Sequence, residues 1–269
     1  MRNKIGVLLA VGLVAAAIFL PALPCDGQSR PKLDCQKMAL DYVKAFETSD
    51  FRTLFRLKGE PYSKEAESAA KKELGSPEAK KLLAPFLEII RLFPQIGEIP
   101  DWVTEVKIEY QYVEGSDLIE MHGDFAFSGD NWIIQDLEPR GGETFDEEKK
   151  AQYAGELSPA PPAGEKTLDA GFSEPITMLI SAVQQKSRDG VKEAGAHFGD
   201  VGLHSSDPPE KREKVLKLLS QFPSIGPIPA PAKSFRLGLS GTLDDNDSEA
   251  EIGFQWPGNK LKIAFVNFK

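Results

Sequence analysis

The chain has 269 residues, 41% hydrophobic and 27% charged, which is globular composition with enough apolar side chains for a core. Its formal net charge is −9 and no block of Lys/Arg stands free of acidic neighbours, so nucleic acid is excluded as a partner by charge repulsion. With only two cysteines, Cys25 and Cys35, neither a disulfide scaffold nor a zinc module is available.

Arg2 and Lys4 precede an uncharged run from Ile5 to Leu20 that ends at Pro21, the layout of a secretory signal. The run is shorter than the ~20 residues of a bilayer span. The favoured cut follows Gly27, which places Cys25 at the −3 position and moves the net charge from −9 to −10. Retention as an anchor and lipidation of Cys25 are the two other outcomes, although Pro24 stands where bacterial lipoproteins carry a small residue. The chain is therefore expected to be exported, periplasmic or extracellular, touching a membrane only through an uncleaved signal or a lipid on Cys25. An earlier cut permits a Cys25–Cys35 loop; otherwise Cys35 is a lone thiol at the start of the first helix.

Residues 28–137 read as a first α+β unit. Leu40, Val43 and Phe46, then Phe51, Leu54 and Phe55, recur at helical intervals around a Ser49–Asp50 break, which predicts two helices with a capped joint. A more polar helix spans Lys64 to Leu74, and a fourth starts at Ser76 as N-cap with Pro77 at its first position. Its stripe of Phe86, Ile89, Ile90 and Phe93 faces a core. Strict alternation then predicts strands, with Val106, Ile108, Tyr110 and Tyr112 inward, followed by Ile119, Met121, Phe125 and Phe127. Glu120, His122 and Asp124 are sent to the solvent side.

Residues 138–171 are rich in Pro, Gly, Ala and Glu and read as a surface linker. Residues 172–269 read as a second unit. Asp207, Pro208 and Glu210 form an acidic capping box, and Val215, Leu218, Leu219 and Phe222 make the helical stripe. Strands follow with Phe235, Leu237, Leu239 and Gly241 inward, then Ala250, Ile252, Phe254 and Trp256. Helix EKREKVLKLLSQF is basic on one face, yet its stripe aligns with the first unit's core helix, so packing is expected over membrane contact.

The two units share a nonapeptide 129 positions apart: Phe93, Pro94, Ile96, Gly97, Ile99 and Pro100 match Phe222, Pro223, Ile225, Gly226, Ile228 and Pro229. Identities at Leu87/Leu216, Glu120/Glu249, Phe125/Phe254 and Gly129/Gly258 extend the match, which predicts a duplication. The prolines end the helix and deliver an extended chain, the glycines permit a tight turn, and the apolar residues plug the core. The fold class expected is α+β, two repeated units, each N-terminal helices followed by a three-stranded antiparallel meander. Such a sheet leaves two edges and one face open, so the units are expected to pair, edge to edge or face to face.

The joint in KAFETSDFRTLF, followed by a meander closing on GDNWIIQDL, resembles the nuclear transport factor 2-like (cystatin-like) α+β cone superfamily, including lumazine-binding-protein-like and ketosteroid-isomerase-like domains. The resemblance covers Leu33 to Leu137 and, more faintly, Phe172 to Phe268. It implies helices packed on a curved sheet around a pocket, whose walls would take Tyr110, Tyr112, Phe125 and Trp132, and pairing through the sheet. Two departures stand out: three strands per unit rather than four or more, and Leu261 where the first unit has Trp132. The isomerase-like members pair an inward Asp base with an inward Tyr or acid; here Tyr110 and Tyr112 face inward with no inward carboxylate on the same strands.

Little else carries chemistry. His122 lies among exposed acids, His197 and His204 lie seven apart in a Gly-rich loop, and DDNDSE at 244–249 lacks the Gly and Glu of a calcium loop and reads as a hairpin turn. No phosphate loop, nucleophile elbow, metal set or cofactor motif is present in the sequence. The expectation is a non-enzymatic binding protein for an apolar small molecule or an envelope protein, against a cone-type enzyme using the first unit's pocket or a structural envelope component. If the favoured cut holds, intact-mass measurement of the exported protein gives a chain beginning at Gln28; an unprocessed or lipid-bearing mass at Cys25 overturns that assignment.

Overall fold

The computed structural model describes residues 30–140, 147–185 and 208–269; the expected signal, Cys25, Asp207, His197 and His204 fall outside them. Helix α1 (Cys35–Thr48) starts where the Asp34 side chain accepts from the Lys37 amide, and it stops at Ser49, which turns left-handed with φ 58°. Asp50 at once caps α2 (Phe51–Leu57) by accepting from the Thr53 amide. The two-helix joint is thus built by two adjacent residues of opposite role. Ser63 caps α3 (Lys64–Leu74), and Ser76 caps α4 (Pro77–Ile90) with Pro77 leading.

Strands β1 (Val103–Glu114), β2 (Asp117–Ser128) and β3 (Asn131–Arg140) form the first meander. The connecting residues then carry α5 (Glu147–Tyr153) and β4 (Thr167–Leu168) before α6 (Ser173–Gln184) and α7 (Pro209–Ser220). After β5 (Ile228–Pro229) come β6 (Ala232–Leu243), β7 (Asn246–Gln255) and β8 (Lys262–Phe268). The connecting segment lies along the second half: β4 pairs with β5, and Ser158 and Ala232 exchange two hydrogen bonds of 2.6 and 2.7 Å.

The chain is α+β, and its two meanders make one six-stranded antiparallel sheet in the order β3-β2-β1-β6-β7-β8 rather than two sheets. Alternation along a strand dictates which face is apolar but not which edge is shared; the shared edge is β1 against β6. In that ladder Ile108 pairs with Leu237, its own counterpart 129 positions on, while Val106 pairs with Leu239 and Tyr110 with Phe235. Register slips fall at Asp124/Phe125 in β2 and at Gly253/Phe254 in β7, again 129 apart.

The two nonapeptides meet. Ile96 and Ile225 form an antiparallel bridge, the Gly97 amide donates to the Ser224 carbonyl at 2.7 Å, and the Gly226 amide donates to the Gln95 carbonyl at 2.8 Å. Both glycines are needed here for close approach: a Cβ on Gly97 would overlap Ser224, and one on Gly226 would press on the Gln95 carbonyl. Pro94, Pro223, Ile228 and Pro229 are buried, whereas Ile99 and Pro100 are half-buried. Phe93 is fully buried over Gly123, but Phe222 is only half-buried.

One core serves both halves. The buried faces of α1, α4, α6 and α7 share it with a single face of the sheet, from Val43, Ile90 and Ile134 to Leu179, Leu219 and Ile263. Aromatic rings run through it without a break: Phe125 to Phe93 at 5.7 Å, Phe93 to Tyr110 at 6.1 Å, Tyr110 stacked on Phe235 at 6.3 Å, then Phe172 at 5.0 Å. Val215 and Leu219 of α7 belong to this core and Leu218 is buried beside them, so that amphipathic stripe is a packing face.

The β1–β6 edge tolerates no extra atom at one point. A Cβ on Gly241 would overlap the Trp102 carbonyl and the Thr104 amide, whereas one on Gly238, three residues earlier in the same strand, would meet nothing nearer than 3.7 Å. Gly241→Ala is expected to lower the unfolding free energy by about 2 kcal/mol, and Gly238→Ala to change it by less than about 0.5 kcal/mol. Urea titration followed by far-UV circular dichroism reads both; equal effects would mean that the edge is not the tight contact.

Candidate functional site

Tyr110 and Tyr112 sit in the middle of β1, 1% and 2% exposed, with ring centroids 6.0 Å apart. Solvated hydroxyls are therefore ruled out. Neither hydroxyl has a hydrogen-bond partner among the described residues, and burial raises the pKa of both, with the Tyr112 hydroxyl adding to the rise at Tyr110. Among the described residues no carboxylate accepts a hydrogen bond from either hydroxyl, although the Glu114 charge adds to the rise at Tyr112. Phe125 is fully buried against Phe93. Trp132 donates its indole N–H to the Pro31 carbonyl at 3.1 Å, and the Arg30 guanidinium lies over its ring at 4.4 Å and over that of Phe127 at 4.1 Å. None of the four lines the pocket that the helices form.

The opposite face of the sheet is a layer of charge. His122 lies there, as alternation requires, but it is 7% exposed rather than open to solvent, because Glu109 and Glu138 stand opposite it on both neighbouring strands. Its Nε2 is 2.7 Å from Glu120 Oε1 and its Nδ1 is 3.5 Å from Glu109 Oε1; Glu109 also pairs with Arg236 at 3.2 Å, and Arg236 with Glu251 at 3.4 Å. Such a ladder holds cross-strand register on this face. Among the described residues no group of three or more His, Cys, Asp or Glu is placed to hold a metal ion. DDNDSE opens the β6–β7 hairpin with positive φ at Asp244 and Asp245, as a two-residue turn needs. Cys35 is free and buried, and burial followed by the Asp34 charge pushes its thiol well above the ordinary range, so it is a core residue without nucleophilic character.

The pocket lies between α1, α2, α3 and α4 and has a volume of about 410 Å³. Tyr42 and Phe46 from α1 and Phe51, Leu54 and Phe55 from α2 form its floor; Ala69, Ala70 and Leu74 from α3 and Ala79, Leu82 and Leu83 from α4 form its sides. The hollow follows from residue size. Helix α3 contributes no buried residue and turns alanines inward, so it stands off from α2 and α4 without filling the gap between them. Leu82 is 59% exposed at the mouth, an uncommon exposure for a residue on an otherwise apolar wall. The charged lining residues are Lys58, Glu60, Glu73 and Glu78, with Ser76 between the last two in sequence.

Tyr42 joins this pocket to the sheet. Its hydroxyl is pushed up to about 12 by burial and then by the Asp136, Glu60 and Glu138 charges. Asp136 is itself raised, by burial first and Glu138 second, and Lys58 is near enough to oppose that rise. Sequence reading missed the pocket because helical periodicity marks the faces of α1, α2 and α4 but gives no measure of the gap that an alanine face leaves; the run SerAlaAlaLys at 68–71 was the available signal.

Because the two core hydroxyls lack partners, Tyr110→Phe and Tyr112→Phe are each expected to leave stability unchanged or to raise it by up to about 1 kcal/mol. A loss above about 1 kcal/mol in urea unfolding would show that these hydroxyls are engaged, and would return them to the candidate site. The chain matches no protein-family model, and no curated protein and no solved structure matches it.

Proposed function

We propose that the protein is an exported, non-catalytic binding protein that holds an apolar small molecule between α1, α2, α3 and α4. The observation that carries this reading is the pocket itself: a volume of about 410 Å³ falls in the range of small-molecule sites, with apolar walls and a few polar groups at the rim. Its lining contains no His or Cys, and two of its three carboxylates, Glu73 and Glu78, are exposed. The alternative of a protein partner on the sheet finds less support, since the face away from the core carries Glu109, His122, Arg236 and Glu251 in ion pairs instead of an apolar patch.

The same reading takes the chain as two related α+β units, helices followed by a three-stranded meander, derived from an isologous dimer whose subunits became joined. Residues pair with their own counterparts 129 positions on at Ile108/Leu237 and at Ile96/Ile225, as a two-fold axis requires. Kinship with the nuclear transport factor 2-like cones belongs to this proposal, supported by a helical layer on one face of an antiparallel sheet and by pairing through that sheet.

Titration of the exported full-length chain with the neutral solvatochromic dye Nile red tests the pocket. Saturable binding is expected, and Ala70→Trp, which fills the space beside α3, is expected to weaken it by about tenfold or more, the factor set by ~1.4 kcal/mol, while leaving the unfolding midpoint unchanged. Absence of dye binding, or equal binding by a folded Ala70→Trp variant, overturns the reading.

A further inference from the structure

We propose that the occupant of the α1–α4 pocket is a cationic amphiphile: an apolar tail seated on Phe46, Leu54 and Leu83, with an amine or quaternary ammonium head at the mouth beside Glu73 and Glu78. This rests on the pocket reading given above and adds to it the charge of the ligand.

The tail follows from volume. At the ~30 Å³ that a water-sized group occupies, a space of about 410 Å³ takes roughly a dozen heavy atoms, and the walls offer them no buried polar partner beyond the Tyr42 hydroxyl. A ligand without any polar end would leave the mouth carboxylates unused; a ligand with a carboxylate or phosphate end would place like charges together.

The head follows from the pairing of the charges around the mouth. Glu60, Glu73 and Glu78 enter no ion pair among the described residues, whereas neighbouring acids are already occupied: Glu67 by Lys71 at 2.6 Å and Glu47 by Arg91 at 2.5 Å. Lys58, the one cation of the lining, enters no ion pair among the described residues either, so the three carboxylates of the lining exceed its cations by two. Lys80 bonds the Ser49 hydroxyl at 2.8 Å and does not line the pocket. Arg52 and Arg56 line a separate cleft with Tyr62, which Glu60 also borders, so Glu60 is shared between the two and Glu73 and Glu78 are the carboxylates left to the pocket alone. Exposed carboxylates each contribute modestly, and two or three acting on one ammonium set a preference on the order of tenfold.

The test is competition against bound Nile red on the exported full-length chain, with dodecyltrimethylammonium, dodecanol and dodecanoate as probes below their aggregation limits. The ammonium is expected to displace the dye at about tenfold lower concentration than dodecanol, with dodecanoate weakest, and the advantage should shrink in 1 M salt, where the screening length falls to ~3 Å. Glu73→Gln combined with Glu78→Gln is expected to remove most of the ammonium advantage while leaving dodecanol displacement as it was. If dodecanol competes but dodecanoate matches or beats the ammonium, the charge assignment is overturned and the pocket reading survives. If no probe displaces the dye and the dye itself does not bind, the pocket reading has failed and this inference with it. A native mass showing a dimer that Leu82→Glu separates would put a second copy of the chain over the mouth, which also overturns the proposal.

Discussion

The antiparallel ladder between β1 and β6 is the interaction on which the remainder of the molecule depends. A three-stranded meander has two open edges and, with helices on one face only, too little buried surface to be secure alone. Joining two of them at β1 and β6 removes two edges and makes one core from what would otherwise be two thin layers. The edges that remain are β3, which carries Pro139 near its end, and the C-terminal β8. The Ile96–Ile225 bridge and its two glycine-to-carbonyl bonds repeat the same joint at the level of the loops, so the halves are tied at the sheet and again at the ends of α4 and α7.

Within that joint the two sides differ at one pair of positions 129 apart. Gly123 in β2 leaves room for the Phe93 ring to lie directly on the strand, and a Cβ there would overlap it. The position 129 residues on, in β7, is Ile252, which carries a fully buried side chain where Gly123 has none. Phe222 is correspondingly less buried than Phe93, and Phe172 ahead of α6 supplies the aromatic mass instead, with Phe254 at 4.8 Å and Trp256 at 6.1 Å. A core of fixed volume accepts one large ring per site, so losing a side chain in one place and gaining it in another are coupled events.

Much of the local structure was legible because the signals are chemical and short-range. Ser49 and Asp50 announce a helix end and a helix start, Ser76 with Pro77 announces α4, and the alternation through Tyr110 and Tyr112 names the buried face of β1. What was not legible depends on partners that alternation does not specify. The choice between edge and face pairing needed the β1–β6 register; the burial of His122 needed Glu109 and Glu138 on two different strands; and the orphaned tyrosine hydroxyls needed the aromatic neighbours that surround them. The pocket was illegible for a further reason: a void is made by atoms that are missing, and Ala69, Ala70 and Ala79 look the same in a sequence whether a neighbour fills the space beside them or not.

The pocket and the joint also differ in how stability is distributed. The joint sits among fully buried residues of β1, β6 and the two clasped loops, where opening would expose the core of both halves. The pocket is walled on one side by α3, which has no fully buried residue, rests on the core through the partly buried Ala66, Ala70 and Leu74, and carries a Ser63 cap, a Lys71–Glu67 ion pair and the Tyr62–Glu67 hydrogen bond. Surface ion pairs and caps of this kind contribute on the order of 1 kcal/mol each or less, so of the four helices around the pocket α3 is the least firmly held. That wall can be displaced while the sheet that unites the chain stays closed.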